Sequence, residues 1–419
     1  MNPGTTAWLL VSAAMVLFMT PGLAFFYGGM DRSRNVLNML MMNFWCVLIV
    51  PIVWALLGYS LAFGGRGSFI GNLDFAFLRN MDITGDGGSR LLVLVYLGMF
   101  AAITPALISG AIADRMKFSA WAIFVPVWSL LVYTPVVFWI YGGIGSDGKN
   151  ALTGWLGSRG SLDFAGGTAI HVNAGIAALA AALVVGKRKG WPREGHPPHS
   201  MPLVMIGTGI LWFGWFGFNA GSALAADGVA VQAFANTFFA AAAGGLVWCL
   251  VERIKDGHVT NLGAASGIVA GLVAITPAAG YVAQMSAIWI GAAAGLVCAF
   301  AVSIKFKRGF DDSLDVVGVH FVGGLVGSLL IGLFAQPGAL GQKNAEGLFY
   351  GGGTFLLREQ FIANAVTIAF SFTMTFLILK AIDAAIGVRV SEEDEESGLD
   401  ISQHAETSYN FGEVTMGRN

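Results

Sequence analysis

The sequence predicts an all-α integral membrane protein of eleven transmembrane helices, built as two inverted five-helix repeats plus a long final helix. Three observations predict it. Apolar residues make up 56% of the chain and charged residues 11%, where a soluble chain would carry about a quarter charged; the mean hydropathy is +0.70. Apolar runs of bilayer-crossing length, about 20 residues, recur as far as residue 386. Lysine and arginine are plentiful in alternate loops and sparse in those between.

The first run, near 6–29, has no basic residue before it and meets its first positive charges, Arg32 and Arg34, after it. A cleaved leader carries its charge first, so this run is expected to be retained with the N-terminus outside. Runs near 36–63, 91–112, 118–141, 164–186 and 203–226 follow, then 229–251, 259–276, 283–304, 316–335 and 360–386. The uncharged stretch from Val259 to Ile304 is too long for one helix, and Thr276-Pro277-Ala278-Ala279-Gly280 breaks it, since proline and glycine end helices.

With that count, one side collects Arg32, Arg34, Arg115, Lys117, Lys187 to Lys189, Arg193, Arg253, Lys255, Lys305, Lys307 and Arg308. The other holds only Arg66, Arg79, Arg90, Lys149, Arg159, Lys343 and Arg358. The richer side is cytoplasmic by the positive-inside rule, and eleven spans put the C-terminus there too. A membrane domain over 1–386 is expected, with repeats of about 1–195 and 196–345, a final helix of about 358–386, and a cytoplasmic tail over 387–419. Cys46, Cys249 and Cys298 lie in apolar runs at no metal-ligand spacing, which argues for packing. The net charge of −2 carries no nucleic-acid footprint.

Two histidines sit inside hydrocarbon-like sequence. His171 lies in GGTAIHVNAGIAALAAALVV (166–185) and His320 in VVGVHFVGGLVGSLLIGLF (316–334); His196, His199, His258 and His404 fall in polar loops or the tail. An ionisable ring at membrane depth loses hydration that apolar neighbours cannot replace, so it usually marks a permeation or proton path. The alternative for either one is a histidine hydrogen-bonded within the bundle, and the matched pair favours function. Each is followed four residues later by a glycine, Gly175 or Gly324, on the same face, where another helix can approach closely.

The fifth helix runs inward from Asp163, and the tenth runs outward from Asp311, Asp312 and Asp315. Both histidine helices take fifth place in their halves, and an odd number of spans per half makes the halves inverted, with a site at their interface. At 1.5 Å per residue, His171 lies about 12 Å beyond Asp163 and His320 about 7–8 Å beyond Asp315. In a core about 30 Å thick, those depths bring the rings near one level.

SLDFAGGTAIHVNAG (161–175), LWFGWFGFNAGSALA (211–225), AITPAAGY (274–281) and GLDISQHAETSYN (398–410) together resemble the ammonium transporter (Amt/MEP/Rh) family, closest to its bacterial and archaeal Amt branch. The likeness runs from TPGLAFFYGGM (20–30) through the tail. It implies an ammonium transporter or channel in the cell (inner or plasma) membrane, assembled as a homotrimer with a narrow pore in each subunit. It implies no cofactor, no metal site and no enzymatic activity, and ammonium or ammonia, with methylammonium as a candidate, as the transported species.

By the same resemblance, Ser222 in FNAGS supplies a hydroxyl at an outer vestibule, Phe218 and Phe100 form a gate, and Trp215 lines the path beneath it. His171 and His320 are the paired lumen histidines, and Asp163 is the acid at the start of the fifth helix. Two positions depart from the family pattern. Tyr141, in IYGGIG (140–145), stands where a tryptophan is usual, and Leu97, in YLGMF (96–100), where a glutamine is usual. Tyrosine offers a weaker π face to a cation than tryptophan does.

Asp163 precedes Gly166, Gly167 and Thr168, whose amides are free at a helix start, so a capping role with an electrostatic benefit to an arriving cation is expected. An apolar lumen excludes potassium because an unhydrated charge in hydrocarbon is prohibitive. Ammonium can shed its proton and cross as ammonia. A histidine pair can hydrogen-bond ammonia and carry the proton.

The tail segment SEEDEESGLD (391–400) is acidic and by composition a solvated end. The resemblance of GLDISQHAETSYN implies instead an ordered tail that couples subunits and docks a PII-type signalling protein. Two other functions stand as alternatives to transport. An ammonium sensor on this fold typically appends a signalling domain, whereas this sequence ends at Asn419. An enzyme would need a nucleotide loop after a strand, a metal cluster or a nucleophile constellation, and none is read here.

Overall fold

A computed structural model describes residues 1–65, 69–81, 87–142, 154–338 and 346–410. Arg66, Lys149, Lys343, part of the IYGGIG string and the tail from 411 lie outside the described residues. Helices account for nearly all regular structure, and among the described residues the only β contacts are two isolated bridges, Met116 to Arg389 and Val282 to Ala335.

Among the described residues, ten helices are long and apolar enough to cross a membrane. They are α1 (Pro3–Met30), α2 (Val36–Phe63), α3 (Gly88–Ser109), α4 (Phe118–Tyr141), α5 (Gly167–Val185), α6 (Met201–Gly221), α7 (Gly228–Lys255), α9 (Gln284–Arg308), α10 (Val317–Phe334) and α11 (Phe355–Ile386). Between α7 and α9 stands α8 (Asn261–Ile275), apolar but only 15 residues long. The expected break at Thr276-Pro277 is where α8 ends.

Caps set several starts, because the first amides of a helix have no partner within it. Asn2 Oδ1 accepts from Thr5 N at 2.8 Å for α1, Thr260 Oγ1 from Gly263 N at 2.8 Å for α8, and Asp227 from Val229 N and Ala230 N for α7. Several expected boundaries move by a few residues, and local chemistry accounts for two of them. The sixth run ends at Gly221 rather than 226, where Ser222 Oγ folds back onto Phe218 O and the chain turns to the Asp227 cap. The fifth begins at Gly167 rather than 164, because Gly166 takes a left-handed φ of 113° and Asp163 draws the next amides onto its carboxylate.

α1 packs along α6, and α7, α8 and α9 pack on one another through glycine-rich faces. α5 and α10 meet at the centre, where a Cβ on Gly324 would lie 3.0 Å from both Gly167 O and His171 Cβ. A side chain on Gly175 would likewise collide with the Phe321 backbone. Both expected small-residue contacts are therefore present. Each of these helices opens in a π-helical turn, Gly167–Val172 and Val317–Phe321, and each turn carries a histidine. Such wide turns often occur at functional sites because they re-aim a side chain.

The acidic tail is ordered. Two short helices, α12 (Glu392–Ser397) and α13 (Leu399–His404), lie against the loop after α1 and the start of α2.

Candidate functional site

The two π turns bring His171 and His320 together. Their Nδ1 atoms are 3.3 Å apart and their rings stack with centroids 5.4 Å apart and planes at 19°. Both are almost wholly buried, at 2% and 3% exposure. Two nitrogens facing each other at hydrogen-bond distance cannot both carry a proton or both lack one. A neutral pair must therefore hold opposite tautomers, one Nδ1–H donating to the other's bare Nδ1. The Nε2 of His171 has no hydrogen-bond partner.

The rings face a narrow lumen with room for about one water-sized molecule, a cavity of ≈ 10 Å³. Its walls are otherwise apolar and aromatic, among them Leu23, Ile103, Leu211, Trp215 and Val269. Trp215 stacks on His171 at 5.4 Å and 18°, its indole N–H spent on Thr276 Oγ1 at 2.8 Å. It thus offers the lumen a ring face and no free donor.

Phe218 caps this lumen. It stacks on Phe100 with centroids 4.1 Å apart and planes at 20°, and both rings are buried. Beyond them lies an outer cavity of ≈ 60 Å³, lined by Phe100, Tyr141, Ser222, Trp54, Tyr96 and Tyr133 among others. Ser222 Oγ donates to Phe218 O at 2.8 Å, which commits its proton and leaves its lone pairs as acceptors. All the residues singled out in the sequence for this path except Asp163 therefore line one or other of two successive cavities.

Tyr96 belongs to the same group and is not singled out by sequence. Its hydroxyl lies 3.2 Å from Ser222 Oγ, 2.9 Å from Gly217 O and 3.0 Å from Phe218 O, and its ring meets Phe100 edge-on at 5.0 Å. The available signal was its place four residues before Phe100, one helical turn away. Tyr141 lines the outer cavity, and its buried hydroxyl lies beside the Asp163 carboxylate.

Asp163 lies behind the cavities and caps α5 more completely than expected. Oδ1 accepts from Gly166 N at 3.0 Å and Gly167 N at 2.7 Å; Oδ2 accepts from Thr168 N and Ala169 N, both at 2.9 Å. Its counterpart on α10 is Asp312, whose oxygens accept from Val316 N at 3.0 Å and Val317 N at 2.7 Å. Each capping aspartate stands eight residues before its histidine. Asp315, from which the depth of His320 is reckoned in the sequence, instead pairs with Lys305 at 2.7 Å. Burial pushes the Asp312 carboxyl up to about 6, against the pull of Lys305.

On the side of α5 away from the outer cavity, Asp114 meets Arg32 and Arg188, each at 3.3 Å, and Arg188 also reaches Asp311 at 2.8 Å. Burial works against ionisation of Asp114, but a hydrogen bond from Asp31 and the two guanidinia hold its carboxyl well below the usual range. Burial and the Asp114 charge push the Asp31 carboxyl up. The tail docks beside them: Leu399 N donates to Asn35 Oδ1 at 2.8 Å, and Asp400 Oδ1 accepts from Asn38 N at 2.8 Å. Among the described residues there is no cluster of three or more His, Cys, Asp or Glu side chains able to hold a metal.

The sequence profile described as the Ammonium Transporter Family matches residues 7–409. An ammonium transporter of Mycobacterium tuberculosis is 48% identical over 434 aligned positions, covering 97% of this chain and 90% of that protein. The ammonium transporter Amt1 of Archaeoglobus fulgidus is 44% identical, covering 98% and 100% respectively. Among solved structures, Candida albicans Mep2 superposes with a TM-score of 0.85 at 33% identity, over 94% of this chain and 88% of that one. A protein described as a sensor Amt superposes with a TM-score of 0.88 at 29% identity, over 96% and 98%.

Proposed function

Because the chain belongs to the ammonium transporter family, we propose that it gathers NH4+ at the outer cavity, strips its proton near the phenylalanine stack, and conducts NH3 through the histidine lumen. The family is one of transporters and not of enzymes, and the chain is a multi-pass protein of the cell membrane. The ring face of Tyr141 and the acceptor lone pairs of Ser222 meet the cation as it leaves water. Phe100 and Phe218 then separate that cavity from the lumen.

The observation that carries this reading is the histidine pair. Two rings whose Nδ1 atoms lie 3.3 Å apart in an apolar lumen form a hydrogen-bonded relay that can accept the proton of NH4+ while NH3 passes. The proton follows through the pair, so the net species moved is ammonium and transport is electrogenic. Potassium, with no proton to lose, meets only apolar wall.

The finer architecture proposed with this function has α8 completing eleven crossings, the N-terminus outside, the C-terminus inside and the two five-helix halves inverted. The Asp163 and Asp312 caps, each eight residues before its histidine, support the inverted relation. A homotrimer is proposed with it, and a tail from 387 that couples subunits and receives a PII-type protein. The docking of Leu399 and Asp400 on the start of α2 supports the tail's role.

Current recordings on proteoliposomes adsorbed to a solid support test the function. Ammonium pulses should give currents and equal potassium pulses none. A potassium current matching that of ammonium would remove the deprotonation mechanism. A sensor remains the second reading, favoured by the sensor Amt likeness. Ammonium binding without any current or uptake from purified protein would select it.

A further inference from the structure

α11 carries a line of polar side chains inward: Gln360, Asn364, Thr367, Ser371 and Thr375, each at most 1% exposed. Polar atoms inside a membrane bundle are unfavourable unless paired, so where these atoms go is informative. The Gln360 amide grips the peptide of Leu162, taking Leu162 N on Oε1 at 2.7 Å and giving Nε2–H to Leu162 O at 2.8 Å. The same Nε2 reaches Ser328 O at 2.9 Å. Leu162 is the neighbour of Asp163, and Ser328 lies eight residues beyond His320 on α10.

Asn364, one turn along, repeats the bridge. Its Nδ2 donates to Ser328 Oγ at 2.7 Å and its Oδ1 accepts from Thr168 Oγ1 at 3.3 Å, while Thr168 and Ser328 also touch at 3.1 Å. Two amides therefore tie the residue before the Asp163 cap and the first turn of α5 to one point on α10. The corresponding peptides before His320 are held by cations instead, Arg115 on Asp311 O at 2.6 Å and Lys305 on Asp312 O at 2.8 Å. On the Asp163 side the tie is neutral, and the neighbouring Glu359 is matched by Arg159 at 2.9 Å and Arg358 at 2.8 Å. A neutral tie adds no positive charge next to the cap that backs the cation's cavity.

We propose that Gln360 and Asn364 are positioning residues of the conduction site: they fix the spacing of α5 and α10 and with it the His171–His320 contact. This rests on the histidine-lumen reading above. Misplacement of reacting groups by about 1 Å can cost on the order of a hundredfold in rate, so a loosened tie acts on turnover before it acts on assembly.

The test compares Gln360→Leu, Gln360→Glu and the His171/His320 double variant with wild type, by ammonium-driven current in proteoliposomes of protein whose oligomer matches wild type. Gln360→Leu, which can neither give nor accept, should lower maximal current by about tenfold or more. An ionised Gln360→Glu side chain accepts from Leu162 N but cannot donate to Leu162 O or Ser328 O, whereas its protonated form recovers a donor. Its current should be low near about pH 8 and rise several-fold toward about pH 5.5, relative to wild type at each pH. Gln360→Leu should show no such relative rise. Wild-type current and half-saturation in assembled Gln360→Leu would overturn the proposal, as would a Gln360→Glu profile superimposed on wild type. If Gln360→Leu fails to assemble, the Gln360→Glu profile alone decides. Ammonium-selective current in the histidine double variant removes the lumen reading itself; a silent double variant with wild-type Gln360 variants removes only the positioning role.

Discussion

His171 and His320 share one hydrogen bond through like nitrogens, Nδ1 to Nδ1 at 3.3 Å. That arrangement makes the two rings a single proton-handling unit: a proton entering at the bare Nε2 of one ring, the shared proton crossing between the Nδ1 atoms and a proton leaving the Nε2 of the other ring together invert both tautomers. Replacing both with apolar residues of similar bulk removes the unit while lowering the cost of membrane insertion. The double variant should assemble and either lose ammonium-driven current or admit potassium. Wild-type, ammonium-selective current from an assembled double variant would reduce both histidines to packing.

Tyr141 supplies a ring face to the outer cavity where the family pattern has the stronger face of tryptophan. Cation–π energies of about 0.5–1 kcal/mol at exposed sites correspond to a few-fold in affinity. Tyr141→Trp should therefore lower the half-saturation concentration by a few-fold at unchanged maximal current. An unaltered half-saturation value would take Tyr141 out of the recruiting cavity.

Asp163 uses both oxygens twice, on four successive amides. An asparagine keeps one oxygen and turns an NH2 toward two N–H groups, so even this small change leaves donors facing donors. At about 1.5–3 kcal/mol per hydrogen bond to a charged group, Asp163→Asn should lose several kcal/mol. The expected outcome is poor assembly or a sharply lowered midpoint of thermal unfolding in detergent. A variant of wild-type thermal stability would show that the cap is dispensable.

Asp312 has its folded carboxyl raised to about 6 from an ordinary 3.8. The folded protein therefore holds this proton more tightly than the unfolded chain. Its contribution is fully present below about pH 4 and is lost as the pH rises to about 6, a change of about 3 kcal/mol at most. Asp312→Asn, which does not titrate, should flatten the fall of detergent stability across that window. Parallel wild-type and variant curves would place the titration elsewhere.

The tail is held by a few short contacts, among them Asp400 Oδ1 on Asn38 N at 2.8 Å and Glu395 Oε1 on Lys189 N at 2.7 Å. Asp400→Ala removes a charge-assisted bond of about 1.5–3 kcal/mol, so local opening should become about tenfold more frequent or greater. Trypsin cleavage after Arg389 should speed up by a similar factor while the membrane helices stay intact. Unchanged cleavage would show that the tail is held by other contacts.

Much of this was legible in the residues. Long apolar runs set the helices, because only a bilayer or a wide core accepts them, and the isolated histidines stood out against that background. The Asp163 cap followed from an acid placed before glycines. Three features were not legible, for different physical reasons. Tyr96 looks like one more aromatic in an apolar run until its hydroxyl is seen on Ser222. Asp312 hides behind Asp311 and Asp315, and only the eight-residue spacing shared with Asp163 and His171 could have singled it out. Gln360 grips a peptide group 198 positions away, and backbone partners leave no mark in side-chain pattern. Helix ends shifted wherever a cap or a left-handed glycine, as at Gly166, overrode hydropathy.

The stacked pair Phe100 and Phe218 has a bearing on the whole cell. With ring centroids 4.1 Å apart, no column of water can stand across that point at rest, and protons hop freely only along water or other linked donors. Cells store working energy as a voltage and a pH difference across such a bilayer. A protein closed in this way can sit there in many copies without short-circuiting that store. Scavenging a scarce nutrient and keeping the battery charged are, at that pair of rings, the same structural requirement.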